Sequence, residues 1–204
     1  MSEATPMIPK IIHYCWFGGN PLPEMAIKCI ESWKKFLPDY EIKQWDESNF
    51  DVNMIPYAAE AYKTKKYAFV SDFARFWILY NYGGLYFDTD VQLIKGIDDI
   101  VKRGPFMGCE RDADEKAGKA ADLPFVAPGL GLAANPGLGF HREPLTLSKR
   151  LHFINPNGSY NQKTILASKS TVARKYWLQN VPGIQACAAV RFFPQVNPLP
   201  RNYV

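Results

Sequence analysis

The sequence predicts an α/β fold, because its first 46 residues have the patterns of a strand, a helix and a second strand in succession. Residues 10–19 (KIIHYCWFGG) form an apolar run that two glycines end, which is typical of a buried strand and a tight turn. Residues 22–37 (LPEMAIKCIESWKKFL) carry apolar side chains at helical spacing, with one proline near the first turn and another after the last. Residues 40–46 (YEIKQWD) alternate as a strand does, so we expect parallel pairing of the two strands.

The next stretch predicts two helices and a third strand. A short helix near 56–63 and a longer one from about 67 to 82 fit the apolar spacing, and Gly83–Gly84 is a C-terminal stop for the second. The longer helix is apolar on most faces, so we expect it to be buried. Residues 84–93 (GLYFDTDVQL) then predict a strand that breaks at its two aspartates.

The second half of the chain has weaker patterns. Residues 105–110 (PFMGCE) predict another strand, and the polar stretch 111–124 predicts a loop. Residues 127–151 are rich in glycine and then favour a helix, whereas the proline-rich tail 191–204 predicts extended, irregular chain.

The composition is that of an ordinary globular domain of 204 residues, 47% of them apolar and 22% charged. The formal net charge is +4 without a dense basic stripe, so we expect no nucleic-acid partner. Four scattered cysteines without a C-x-x-C pair indicate reduced thiols. The N-terminus lacks the apolar core of a secretory signal, and no apolar run is long enough for a bilayer. We therefore expect one domain over residues 1–204 and a cytoplasmic location.

Two aspartates, Asp88 and Asp90, follow the apolar part of a predicted buried strand. In extended backbone, carboxylates at i and i+2 point to the same side, and they resist joint ionisation unless a cation lies between them. Mg²⁺ or Mn²⁺, which prefer oxygen ligands, would supply that cation. Ligands of α/β sheets bind at the carboxyl ends of the strands, where this pair falls. A solvated turn is the alternative for so short a motif.

Two further charges, Asp72 and Arg75, lie three residues apart on one side of the predicted buried helix. Buried ion pairs lose hydration and add little stability, so we expect this pair to bind a ligand; a structural ion pair is the alternative. A carboxylate beside a guanidinium can hold sugar hydroxyls or a phosphate. Trp16, just before the glycine turn, is either core filling or a stacking surface for a base.

These residues occur together in a known family. The segments IPKIIHYCWFGG, SWKKFLPDYEIKQWDESNFD, AFVSDFARFWILYNYGGLYFDTDV and RFFP follow one another in the family's order. Over residues 8–100 the chain resembles the DXD-motif glycosyltransferases of family 32, which include capsular polysaccharide synthesis proteins and mannosyltransferases. The combination of S-D-x-x-R with G-G-x-Y-x-D-x-D carries the resemblance. The strand end HYCW also resembles the base-binding strand of the glucosylating toxins.

The resemblance implies a GT-A fold, in which a Rossmann-like mixed sheet is flanked by helices. It further implies a UDP- or GDP-sugar as donor and retention of the anomeric configuration. Trp16 would stack on the nucleotide base, Cys15 would contribute backbone contacts, and Asp46 would make a polar contact with the nucleotide. Tyr86 would lie near the sugar or the phosphate.

The resemblance also implies roles for the four charged residues, as donor-binding and catalytic groups. Ser71, Asp72 and Arg75 match S-D-x-x-R, and the last two would hold the donor sugar. Asp90 would bind Mn²⁺ or Mg²⁺ directly. Asp88 would bind it directly or through water while also touching the ribose.

The implied acceptor is a polysaccharide or a lipid-linked glycan, which suggests capsular polysaccharide biosynthesis. The mild basicity and the aromatic content fit a peripheral position on the inner face of the plasma membrane. No residue of the sequence stands out as a covalent nucleophile, so we expect front-face attack by the acceptor hydroxyl.

One departure from the family concerns the end of the chain. Many members continue into a segment with His, Ser and Trp that closes over the diphosphate and metal, whereas this sequence ends at Val204 without that motif. Three alternatives account for this difference: the chain is truncated, the proline-rich tail is used differently, or a partner completes the site. His141 and His152 are candidates for a substitute contact, with structural or surface roles as their alternative.

Two other functions stay open. One is a sugar-nucleotide binder without catalysis. The other is a phosphohydrolase of the haloacid-dehalogenase type, in which the first aspartate of D-x-D attacks phosphate and the second acts as an acid or base. That class needs a later pair of aspartates, and Asp98–Asp99 follows too soon.

Overall fold

The computed structural model describes residues 8–110, 125–126, 128–161, 185–187 and 190–192. Its helices are α1 (Glu24–Phe36), α2 (Pro56–Lys63), α3 (Tyr67–Tyr82), α4 (Asp98–Val101) and α5 (Gly139–Ser148). Its strands are β1 (Ile11–Cys15), β2 (Glu41–Trp45), β3 (Gly84–Tyr86), β4 (Val91–Leu93), β5 (Phe106–Glu110), β6 (Phe125–Val126), β7 (Leu132–Ala134), β8 (Gln185–Cys187) and β9 (Val190–Phe192). The elements predicted in the first 110 residues are confirmed, and so is the helix within 127–151.

The main sheet is mixed, as predicted. Its order is β2-β1-β3-β7-β5-β6, with β8 also paired to β5. β1 runs parallel to β2 and to β3, whereas β7 is antiparallel to β3 and β5. Because β1, β2 and β3 are parallel, their carboxyl ends lie at one edge of the sheet, and the residues that follow them are brought together there.

Side chains of the sheet divide between two apolar clusters, because successive residues of a strand point to opposite faces. Leu85 and Phe87 belong to the cluster with α1, whereas Tyr86 belongs to the cluster with α2 and α3. Cys15 of β1 shares the α3 cluster with Tyr86. This alternation directs Tyr86 and Cys15 towards the face on which α3 carries its charged pair.

The glycine pair after α3 has the predicted role. Gly83 follows the last helical residue with φ 66°, and its N–H donates to the carbonyl of Leu79 at 3.0 Å. Gly84 has φ 94°, and a Cβ there would lie 2.6 Å from the carbonyl oxygen of Ile11. A side chain at Gly84 would therefore hold β3 away from β1.

The strand predicted over 84–93 breaks at its two aspartates, as expected, into β3 and β4. β3 ends at Tyr86, and the N–H of Val91 donates to the carbonyl of Asp88 at 3.1 Å, which makes a turn of residues 88–91. β4 then pairs with β9 in a separate two-stranded sheet. The two aspartates therefore stand in a turn, and the same-side argument for extended backbone does not apply to them.

Helix α1 fixes the chain beyond this turn. The indole N–H of Trp33 donates to the carbonyl of Val91 at 2.8 Å, and the hydroxyl of Ser32 accepts the N–H of Leu93 at 2.9 Å. Trp33 is fully buried, and burying so large an apolar side chain contributes roughly 2–3 kcal/mol. The turn is thus held between β3 on one side and α1 on the other.

The predicted loop 111–124 and the tail from 193 onwards lie outside the described residues. Within the described part of the chain, no helix combines the length and apolar character that a bilayer crossing needs.

Candidate active site

The centre of the site is Arg75, whose guanidinium joins the two acidic motifs. Its Nη2 lies 2.7 Å from Oδ1 of Asp72, one helical turn away, and 3.3 Å from Oδ1 of Asp88 after β3. Asp72 and Arg75 are buried. Burial by itself lowers the pKa of Arg75, but the charges of Asp88 and Asp72 outweigh it and raise the pKa above its usual range. Arg75 therefore stays charged and holds both carboxylates.

Asp88 is held from three directions. Its Oδ1 accepts the hydroxyl hydrogen of Tyr86 at 3.0 Å as well as the contact with Arg75. Its N–H donates to the carbonyl of Gly129 at 3.1 Å. One third of its side chain remains exposed, at 33%. The carboxylate is thus fixed by the protein and still open to a ligand.

Asp90 is the exposed member of the pair. Partial loss of water around its carboxyl and then the charge of Asp88 raise the pKa of Asp90 from 3.8 to about 6. The contribution of the Asp88 charge is the one expected of two neighbouring carboxylates that repel each other. A cation bound near them would remove that repulsion.

Cys15 and Tyr86 lie beneath the charged group. Burial raises the pKa of the Cys15 thiol to about 12, and a hydrogen bond joins this thiol to Tyr86. Tyr86 is 1% exposed, and the Arg75 guanidinium lies over its ring with 5.2 Å between guanidinium carbon and centroid. We predicted that Tyr86 lies near the sugar or phosphate, and the structure directs its hydroxyl to Asp88. Its described contacts with the charged group are therefore the hydroxyl bond to Asp88 and the packing of its ring against Arg75.

Ser71 contributes to the site through its backbone. Its carbonyl accepts the Nε hydrogen of Arg75 at 3.4 Å, and its hydroxyl donates to the carbonyl of Tyr67 at 3.2 Å. The first residue of the S-D-x-x-R motif thus helps to direct the guanidinium of its last residue.

Trp16 and Asp46 stand at the same sheet edge, after β1 and β2. Trp16 is half-buried, and its indole N–H donates to the carbonyl of Asn20 at 2.6 Å. The carboxylate of Asp46 accepts the hydroxyl and N–H of Ser48 and the amide of Gln44, which lower its pKa. The side-chain hydrogen bonds of Trp16 and Asp46 join each of them to residues no more than four positions away. The roles predicted for them on the nucleotide stay predictions.

Two residues near the charged group had no predicted role. Gly129, in the turn Pro128–Leu130, accepts the N–H of Asp88, and a Cβ on it would lie 3.3 Å from Nη1 of Arg75. Tyr57 of α2 is buried close to Asp72, and its pKa is raised by burial and then by the Asp72 charge. For Gly129 the sequence offered a signal in the glycine-rich pattern at 127–139, but that pattern does not reveal the contact of Gly129 with Asp88.

His141 and His152, our candidates for a substitute contact, have structural surroundings. His141 is buried, and burial lowers its pKa to about 3. His152 is exposed, and its Nδ1 lies 2.6 Å from Oε1 of Glu60. Glu60 also accepts the N–H groups of Phe153 and Ile154, so this acid fastens α2 to the loop that contains His152.

The carboxylates of the site fit a divalent metal ion whose remaining ligands come from a substrate. Among the residues that the structure describes, no group of three or more His, Cys, Asp or Glu side chains could hold an ion alone. Asp88 and Asp90 supply two carboxylates, and Mg²⁺ is commonly bound by one or two carboxylates together with substrate phosphates. Asp72, Asp88 and Asp90 carry three negative charges against the one positive charge of Arg75, so an anionic ligand needs additional positive charge to bind here.

The mixed sheet flanked by helices, with an acidic turn after the central strand β3, is the GT-A fold of glycosyltransferases. The structure titled "PaToxG Glycosyltransferase" superposes with a TM-score of 0.57 at 21% identity, over 86% of this chain and 70% of that chain. Residues 23–107 match the family described as "Glycosyltransferase sugar-binding region containing DXD motif". Residues 23–107 thus carry the DXD-motif region of these glycosyltransferases, which confirms the resemblance predicted from the sequence.

Two curated proteins show the same relationship. Inositol phosphoceramide mannosyltransferase 3 of Schizosaccharomyces pombe is 36% identical over 104 residues, which are 49% of this chain and 29% of that protein. Uncharacterized glycosyltransferase L373 of Acanthamoeba polyphaga mimivirus is 37% identical over 106 residues, 49% of this chain and 42% of that protein. The matched part thus spans less than half the length of either relative.

Proposed function

We propose that the protein is a metal-dependent glycosyltransferase that moves a hexose from a UDP- or GDP-sugar to a hydroxyl group of a glycan acceptor. The observation that carries the proposal is the position of Arg75, which joins the Asp72 side of the site to Asp88 of the D-x-D turn. A sugar-nucleotide presents neutral hydroxyls on one side and a diphosphate on the other. The site offers fixed hydrogen-bonding groups and a pair of metal-binding carboxylates in the same arrangement.

The described residues have distinct tasks in this proposal. Asp72 and Arg75 hold the donor sugar through its hydroxyl groups, since a carboxylate accepts and a guanidinium donates hydrogen bonds. Asp88 and Asp90 hold Mn²⁺ or Mg²⁺. Trp16 provides a stacking surface for the base at the end of β1.

The transfer itself exchanges one bond to the anomeric carbon for another. The acceptor hydroxyl oxygen bonds to the anomeric carbon, and the bond from that carbon to the phosphate oxygen breaks with its electron pair left on the phosphate. The hydroxyl proton passes to the same phosphate oxygen. Attack from the face that the phosphate leaves gives retention, and the anomeric configuration of the product, measured by NMR, tests it.

The bound metal would neutralise the negative charge that develops on the leaving nucleoside diphosphate. The positive charge of Arg75 is already balanced by two carboxylates, so this residue by itself leaves the diphosphate charge uncompensated. That balance supports a metal requirement for donor binding.

The acceptor follows from chemistry and from one relative. The first relative is named for mannosyl transfer and for inositol phosphoceramide. For this protein we propose a less specific acceptor than the one in that name. A hexose is transferred to a polysaccharide or to a lipid-linked glycan, as in capsular polysaccharide biosynthesis. A cytoplasmic enzyme on the inner face of the plasma membrane would meet both kinds of acceptor.

A non-catalytic sugar-nucleotide binder is the competing function, and the phosphohydrolase is disfavoured. In that hydrolase class the first aspartate of D-x-D must attack phosphate, whereas Oδ1 of Asp88 is engaged by Arg75 and Tyr86. The match of residues 23–107 to a sugar-binding region also favours a transferase.

Thermal-shift measurements with UDP- and GDP-sugars, with and without Mn²⁺, test the proposal. Ligand at 100 times its dissociation constant stabilises by about 2.7 kcal/mol, which corresponds to roughly 5–10 °C for a domain of this size. Asp90→Asn should remove the metal-dependent part, and Asp99→Asn, an exposed acid of α4, should keep it. Absence of a metal-dependent shift with every nucleotide sugar would refute the proposal. A shift without donor hydrolysis or transfer would identify a binder.

A further inference from the structure

We infer that Gly129 is a positioning residue that sets the carboxylate of Asp88 for metal binding, an inference that rests on the proposed function. The turn Pro128–Leu130 approaches Asp88 on the side of Gly129. The carbonyl of Gly129 accepts the N–H of Asp88 at 3.1 Å, so the two backbones are joined directly.

Space, and not backbone conformation, is what this position requires. A Cβ on Gly129 would overlap Oδ2 of Asp88 and would lie 3.3 Å from Nη1 of Arg75. The φ angle of Gly129 lies outside the left-handed region that favours glycine. An alanine could therefore adopt the same backbone, and its methyl group would meet the Asp88 carboxylate.

The turn has little room to move away from Asp88, because it is packed closely from behind. The N–H of Gly108 on β5 donates to the carbonyl of Gly131 at 2.7 Å. A Cβ on Gly108 would lie only 2.8 Å from Cβ of Leu130, and one on Gly131 would lie 3.1 Å from the ring of Phe87. The segment is thus wedged between β5 and the residues after β3.

The Asp88 side chain is the part that can yield. Rotation of this carboxylate would move Oδ1 from its contacts with Tyr86 and Arg75 and would change its position relative to Asp90. Gly129 therefore acts on the metal site through Asp88, with no contact of its own to the metal required.

Gly129→Ala tests this role, with Gly139→Ala as the matched control because a Cβ at Gly139 meets no atom within 4 Å. The dissociation constant of Mn²⁺ is measured in the presence of UDP or GDP from the electron paramagnetic resonance signal of free Mn²⁺. We expect Gly129→Ala to weaken Mn²⁺ binding at least tenfold and Gly139→Ala to leave it unchanged. A purely structural role would lower the melting temperature and leave the Mn²⁺ constant as in the control, which would overturn the inference.

A double variant keeps the test decisive if Gly129→Ala folds poorly. Removing the carboxylate with Asp88→Ala creates the space that the methyl group needs, so adding Gly129→Ala to it should shift the melting temperature by less than half of what it does in the wild type. Equal shifts in both backgrounds would overturn the inference. If wild-type protein binds no Mn²⁺ with any nucleotide, the proposed function fails and the metal-positioning role fails with it. If wild type and Gly129→Ala bind it equally, only the role of Gly129 is refuted.

Discussion

Acid should destabilise this protein through His13, a fully buried residue of β1. Its Nε2–H donates to the carbonyl of Gly83 at 3.0 Å, and its Nδ1 accepts the indole hydrogen of Trp45 at 3.1 Å. This pair of bonds requires the neutral imidazole with its proton on Nε2, because a proton on Nδ1 would face the Trp45 donor. His13 thereby ties the end of α3 to β1 and β2.

The pKa gives the size of the effect. Burial, with a smaller contribution from the charge of Lys43, lowers the pKa of His13 from 6.5 to about 4, although the bond to Gly83 acts in the opposite direction. As pH falls below 6.5, His13 becomes protonated in the unfolded chain but stays neutral in the folded protein. The free energy of unfolding therefore decreases down to about pH 4. The total is about 3 kcal/mol, of which about 2 kcal/mol is lost by pH 5.

Urea denaturation at pH 7 and pH 5 measures this loss. The free energy of unfolding of wild type should fall by about 2 kcal/mol more than that of His13→Gln, which has no imidazole to titrate. Equal losses in the two proteins would refute the assignment to His13. An NMR titration of wild type offers a second reading, and a His13 imidazole that titrates near 6.5 would contradict the neutral, doubly bonded state.

Substitutions at three positions test the site. Arg75→Ala should lower the free energy of unfolding in urea by about 3–5 kcal/mol, because it leaves Asp72 and Asp88 without their shared partner. By calorimetry it should weaken the binding of sugar-nucleotide more than the binding of bare nucleotide, and equal weakening would contradict sugar binding by Arg75. If that variant does not fold, Arg75→Lys keeps the charge and should show the same selectivity. Tyr86→Phe should cost about 1.5–3 kcal/mol, the range for a hydrogen bond to a charged group, and unchanged stability would mean that the hydroxyl bond to Asp88 is weak. Trp16→Ala should weaken nucleotide by about tenfold to a hundredfold if the base stacks on it, whereas wild-type affinity would remove it from the base site.

The sequence was sufficient for the elements whose signals are local. The apolar run of β1, the helical spacing of α1 and the glycine pair after α3 each determine their structure through neighbouring residues. The charged pair of α3 was also predictable, because residues three apart on a helix share a face. Parallel pairing of β1 and β2 followed from the order of elements.

The rest depended on contacts between distant parts of the chain. The same-side argument for Asp88 and Asp90 held only for extended backbone, and that condition is not met, because β4 lies outside the main sheet and is held by Trp33 of α1. The contact of Gly129 with Asp88 depends on the way β7 pairs with β3, which no local pattern reveals. Sequence thus identified the chemical groups, whereas the tertiary fold determined their orientation.

The alternation of β3 restricts how many residues can separate the two motifs of this site in the chain. Leu85 and Phe87 face one apolar cluster and Tyr86 the other, and the carbonyl of Ile11 leaves no room for a side chain at Gly84. Inserting or deleting a single residue here would exchange the two faces of the strand. The Tyr86 hydroxyl would then enter the cluster around α1, and the acidic turn would lose its alignment with Arg75. The strand therefore fixes the number of residues between S-D-x-x-R and D-x-D, whereas residues can be exchanged there without a change in that number.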